Sequence, residues 1–167
     1  MKKLFIVIIF LFLHACFAPS TYTLKTKFNA DEAKWIKERG NANIIGQAFL
    51  NQKGGTVVTC AGQEVYLTPV NSYSSERMNA IYKSTEKGYL GYYLSNIVFE
   101  PSTPQEYYTL AKKSICDAQG NFKFNNIKAD KEYFITTKVT WEVSVVEGGY
   151  LMLKVKPKDN ETLEVIL

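Results

Sequence analysis

Three cysteines, one histidine and a set of clustered tyrosines are the side chains of this 167-residue chain with the most chemistry to offer. The histidine, His14, lies two residues before Cys16 at the end of an apolar run. With that run set aside, no imidazole remains for a Ser-His-Asp or Cys-His relay, or for the commonest zinc sites. Cys60 and Cys116 alone do not make a tetrahedral metal centre. Two carboxylates across a sugar suffice for glycoside hydrolysis, and Glu64, Glu76, Glu100, Glu132 and Glu142 are the candidates. No pattern singles out two of them, and surface carboxylates are the competing reading. Asp117-x-x-Gly120-Asn121 lacks the alternating acids of a calcium loop and reads as a β-turn. No phosphate-binding loop, dinucleotide fingerprint or nucleophile elbow is present. The expectation is a protein without catalytic residues, metal or cofactor. Tyr89, Tyr92, Tyr93, Tyr107 and Tyr108 remain as a candidate ligand surface, since tyrosine joins contact area to a polar tip. The competing reading is that these rings cover the core beneath a long loop.

The first residues read as an address. Lys2 and Lys3 precede an unbroken apolar stretch, Leu4 to Leu13. Ten residues are short of the roughly 20 needed to cross a bilayer, so a secretory signal is expected rather than a span. Leu13-His14-Ala15-Cys16 resembles the lipobox of bacterial lipoproteins. That resemblance implies cleavage before Cys16, acylation of Cys16, and, with Phe17 rather than Asp after it, an outer-membrane destination. Ordinary signal cleavage after Ala18 is the alternative. Export places Cys60 and Cys116 where an even pair forms a disulfide; two buried free thiols are the other possibility. The formal charge is +4, and loss of Lys2 and Lys3 leaves about +2. With no basic stripe, nucleic acid is not an expected partner.

The elements that must position these residues follow from periodicity. Aromatic content of 14%, with 11 Tyr and 10 Phe, leans toward strands. Residues 1–15 are expected to be the signal peptide, and 16–43 a tether with a short helix capped by Asn29 and stopped at Gly40. From residue 44 short strands dominate: 44–50, 56–59, 64–68, 108–116, 122–124, 133–143, 150–155 and 162–167. Tyr133, Ile135, Thr137, Val139 and Trp141 share one face, and Gly148-Gly149 reads as a hairpin turn. A second helix is expected over Ser74–Ser84, with Met78, Ile81 and Tyr82 facing the core. Short strands without alternating helices argue for an antiparallel β-sandwich.

The run Asp117-x-x-Gly120-x-Phe122-x-Phe124, followed by Tyr133-x-Ile135, resembles the carboxypeptidase regulatory-like domain. Gly46-Gln47-Ala48 and Val65-x-Leu67-x-Pro69 are similar to that family's opening strands. Thr59-Cys60-Ala61-Gly62, Cys116-Asp117 and Val139-x-Trp141 resemble an exported bacterial subgroup of it, which implies bridged cysteines. The resemblance covers 44–167 and implies a seven-stranded, transthyretin-like Greek-key sandwich, mainly β, with two short helices. It departs at Lys131-Glu132, where the family has glycine, and in an insertion over 71–105. It implies a binding or structural module without catalysis. The expected function is therefore a lipid-anchored envelope module whose partners are the membrane, through its lipid, and an envelope protein or a glycan. A carbohydrate-binding module using the loop tyrosines is the alternative.

Overall fold

The computed structural model describes residues 20–167. The expected signal segment, His14 and the acylation site Cys16 lie outside the described residues. Twelve strands are found among them: β1 (Ser20–Thr23), β2 (Ala42–Gln47), β3 (Phe49–Asn51), β4 (Val57–Thr59), β5 (Glu64–Pro69), β6 (Lys87–Gly91), β7 (Ile97–Glu100), β8 (Lys112–Ile115), β9 (Asn121–Ile127), β10 (Tyr133–Glu142), β11 (Val146–Val155) and β12 (Thr162–Ile166). Two α-helices accompany them, α1 (Ser72–Tyr82) and α2 (Gln105–Leu110).

Two principal sheets face each other. One has the order β6-β11-β10-β5-β8 and the other β12-β2-β9. Alternation along the strands explains the layer between them. Val65 and Leu67 of β5, with Tyr133, Ile135 and Val139 of β10, meet Ile44 of β2 and Phe122, Phe124 and Ile127 of β9 in one core. The opposite face of the five-stranded sheet is also covered. Phe134 and Met152 project outward there and pack against Met78 of α1.

The expected all-antiparallel arrangement is corrected at two pairs. β12 runs parallel to β2, and β1 runs parallel to β7. A strand arriving from the other sheet, or from the chain's beginning, is not bound to a hairpin and can enter in either direction. The two principal sheets hold five and three strands, because β6, from the expected insertion, joins the edge beside β11.

Several local expectations also change. The segment expected as a tether contributes β1. The helix expected after Asn29 is instead two short 3-10 turns, Ala30–Glu32 and Lys34–Lys37, although Asn29 does accept from the Asp31 amide at 3.0 Å. The Trp35 indole, bonded to the Glu32 carbonyl at 2.8 Å, and the buried Ile36 hold this tighter path. α1 begins two residues early, where Asn71 and Ser74 form a reciprocal capping box. Tyr107 and Tyr108 lie on α2, not on a strand. The β10–β11 hairpin turns beyond Glu142↔Val146, while Gly148 and Gly149 lie within β11. A Cβ on Gly149 would stand 2.2 Å from the Leu90 carbonyl oxygen, so glycine permits β6 to pair there. Trp141 is half-buried at the strand's end, its Nε1 donating to Glu147 at 3.1 Å, rather than part of the core.

Cys60 and Cys116 are joined by a disulfide, with Cα atoms 5.7 Å apart. It ties the residue after β4 to the residue after β8. The amide bonds Cys60 to Ala48, Gly62 to Cys116 and Cys116 to Gln63 run alongside it.

Candidate functional site

The outer face of the five-stranded sheet is the floor of a groove. α1 lies along one side, and the segment 95–103 and α2 close the others. The groove consists of two adjoining hollows. The first, about 560 Å³, lies over the sheet between Glu64, Tyr66, Thr136 and Lys138 below and Met78, Tyr82 and Tyr108 above. The second, about 570 Å³, lies between α1 and the segment 95–103. Arg77, Ile81, Tyr82, Tyr108 and Tyr150 line both.

Helical spacing places Arg77 one turn after Tyr73, so the two share a face. The Arg77 side chain is 94% withdrawn from solvent, at 6% exposure. Its guanidinium carbon lies 4.0 Å from the Phe99 ring centre, 4.9 Å from Tyr107 and 5.8 Å from Tyr73. Nη1 donates to Thr103 Oγ1 at 2.5 Å, while Nε is buried without a hydrogen-bond partner. Among the described residues Arg77 has no carboxylate within ion-pair distance. Burial pushes the Tyr107 phenol up to about 12, although the Arg77 charge pulls the other way. Burial likewise raises Tyr82 above the ordinary phenol value.

On the sheet side, Glu64 is the carboxylate of the lining. It accepts from the Tyr66 hydroxyl and from Lys113 at 3.3 Å. Those two bonds, Tyr66 first, hold it below the usual carboxylate range. Lys113 also stands over the Tyr66 ring, 5.0 Å from its centre. The remaining acids weighed from the sequence lie elsewhere in the fold. Glu76 receives the backbone amides of Lys25 and Thr26, each at 2.8 Å, and Glu100, Glu132 and Glu142 are exposed. No group of three or more His, Cys, Asp or Glu among the described residues is placed to hold a metal ion.

The structure divides the five predicted tyrosines. Tyr108, 45% exposed, presents its ring to both hollows. Tyr107, its neighbour, is buried among Phe28, Tyr73 and Arg77 and serves as the wall behind it. Tyr92 lies parallel to Tyr150, with ring centres 6.4 Å apart, and so backs the groove at one remove. Tyr93 is exposed and packs edge-on against Tyr92. Tyr89 pairs with Leu151 of β11, on the opposite face of the sheet from Tyr150, and its hydroxyl donates to the Gly148 carbonyl.

Comparison with known proteins bears on this groove through the fold alone. No family model matches the chain, and no curated protein matches it. Among solved structures it is similar to the crystal structure of a protein from Pseudomonas aeruginosa described as a putative carbohydrate binding protein. The TM-score is 0.68 at 21% identity, over 85% of this chain and 97% of that one. The likeness shows the fold.

Sequence reasoning missed Arg77, Tyr66 and Tyr150. The stripe Met78, Ile81, Tyr82 was the available signal. Read as wholly core-facing, it proves split: Met78 is buried against the sheet, while Ile81 and Tyr82 also line the groove.

Proposed function

We propose that this chain is an exported, lipid-anchored binding module of the bacterial envelope, without catalytic activity, and that its groove takes a saccharide. The observation that carries this reading is the groove itself. An exposed Tyr108 ring stands over a floor that carries Tyr150 beside Lys138, with the Thr136 hydroxyl and the Glu64 carboxylate. Aromatic faces stack on the C–H faces of sugar rings, and scattered donors and acceptors satisfy sugar hydroxyls. The Pseudomonas aeruginosa protein of similar fold is itself described as a putative carbohydrate binding protein, which supports this reading.

The same reading takes the body as a transthyretin-like sandwich. With β6 assigned to the insertion, four strands of one sheet face three of the other. Cys16 stands four residues before Ser20, a reach of at most about 14 Å. The Ser20 amide is bonded to the Asn96 carbonyl at 3.1 Å, so an acylated Cys16 holds this corner of the body close to the bilayer. No helix among the described residues is long and apolar enough to cross a membrane. In this proposal attachment is by the acyl chains on Cys16, and several chains suffice where one does not.

Two measurements test it. Cys16→Ala is expected to move the protein from the membrane fraction to the soluble one; full retention of the variant in membranes refutes the anchor. Binding to immobilised envelope glycans is expected to fall with Tyr108→Ala and to persist with Tyr89→Ala. Equal retention by both variants refutes the groove.

A further inference from the structure

We propose that the end of the groove between α1 and the segment 95–103 binds the carboxylate of an acidic saccharide, with Arg77 as its counter-charge. This rests on the glycan reading above and names the class of sugar.

The charge distribution is the first reason. A guanidinium withdrawn from water is costly unless it is paired. Arg77 is withdrawn, and no carboxylate among the described residues is within ion-pair distance. Phe99, Tyr107 and Tyr73 offset part of that cost through their ring faces. They do not satisfy Nε. Thr103 occupies Nη1, and Nε is an orphan donor. A planar carboxylate matches the guanidinium fork and can take two parallel hydrogen bonds from it.

The second reason is the asymmetry of the groove. The hollow over the sheet carries both Glu64, already paired with Lys113, and Lys138, so its charges offset one another. The hollow between α1 and 95–103 carries no carboxylate and adds the hydroxyls of Ser95, Ser102 and Thr103. Tyr108 and Tyr150 line both. A saccharide lying along these rings would therefore place a neutral unit near Glu64 and an acidic unit beside Arg77.

The test uses the full folded chain and calorimetric titration with oligogalacturonate and oligoglucuronate, each beside its methyl ester. The acid form of at least one is expected to bind about tenfold or more tightly than its ester, the loss expected on deleting a charge-assisted pair. Arg77→Lys is expected to erase most of that preference, because an ammonium lacks the fork. If Arg77→Lys fails to fold, Thr103→Val, which removes the acceptor that holds Nη1, is expected to reduce the preference several-fold. Equal binding of acid and ester overturns the acidic site and leaves the glycan reading standing. A sulfated oligosaccharide that binds tighter than either uronate overturns the carboxylate assignment. No binding by any of these sugars overturns the acidic site, and the glycan reading is then decided by the Tyr108→Ala comparison on envelope glycans.

Discussion

Replacing Cys60 and Cys116 together by alanine is expected to cost about 4 kcal/mol of folding stability. The two residues are 56 apart in sequence. In the chain-entropy model a loop of that length removes about 14 cal/mol/K from the unfolded ensemble, or about 4 kcal/mol at 25 °C. The native state should change little. Backbone bonds from Cys60 to Ala48, from Gly62 to Cys116 and from Cys116 to Gln63 hold the same junction without the sulfurs. The cost therefore falls on the unfolded side, with some lost packing added because both cysteines are buried. A domain of this size is worth about 5–15 kcal/mol, so the variant should remain folded but marginal. Urea titration of the oxidised protein and the double variant measures the difference. The slope should also rise, since an uncrosslinked chain exposes more surface on unfolding. A loss below about 1 kcal/mol with unchanged slope would refute the reasoning.

Three further outcomes are expected. Tyr107→Ala should lower stability by about 3 kcal/mol or more, because its ring is packed among Phe28, Tyr73 and Arg77, whereas Tyr108→Ala should leave the thermal midpoint nearly unchanged. Equal effects in calorimetric melts would contradict the assigned wall and face. Gly149→Ala should detach β6, since its Cβ would stand 2.2 Å from the Leu90 carbonyl; hydrogen exchange at Leu90 and Gly91 should quicken while the β10–β5 ladder stays protected. Burial raises the phenols of Tyr82, Tyr107 and Tyr133 in the folded state. Their contribution is intact below the ordinary value of 10.0 and is lost as pH climbs through the raised folded values, about 12 for Tyr107. A tyrosinate absorbance titration should show delayed ionisation that ends in alkaline unfolding, and ionisation of every tyrosine near 10 without unfolding would count against it.

What was legible in the sequence was whatever depended on neighbours a few residues apart. Tyr133, Ile135 and Val139 announce an inward face because a strand repeats every two residues, and they do point into the core. The Asp117 turn was legible because Asp117 Oδ1 takes the amides of Gln119 and Asn121, a bond set contained within five residues. α2 was not legible. It has six residues, opens at Pro104 without a side-chain cap, and its tyrosines favour strands in isolation. Gly148-Gly149 misled for a related reason. Paired glycines signal a turn locally, but here they admit a neighbouring strand that comes from more than fifty residues away. Arg77 looked like any helix-surface arginine. Its acceptor, Thr103, lies 26 residues on, and nothing near it in sequence reveals the rings that enclose it.

The groove also separates scaffold from site. Its floor belongs to β5, β10 and β11, strands of the sandwich, but its walls come from α1, the segment 95–103 and α2, all within or just beyond the expected insertion. The walls are tied to the chain's beginning as well. Glu76 of α1 clamps the amides of Lys25 and Thr26, and β1 pairs with β7, which leads toward Thr103. Glu76 is held below the ordinary carboxylate range even though burial pulls it upward, because those amide bonds outweigh it. The stability this clamp adds is present above the unfolded carboxylate value and is lost as pH falls through the lower folded one. Mild acid should therefore loosen β1 and the Arg77 wall before it disturbs the disulfide-tied sandwich. Loss of sugar binding at a pH where the near-ultraviolet spectrum of the core is unchanged would show that order. Simultaneous loss of both would mean that insertion and sandwich unfold as one unit.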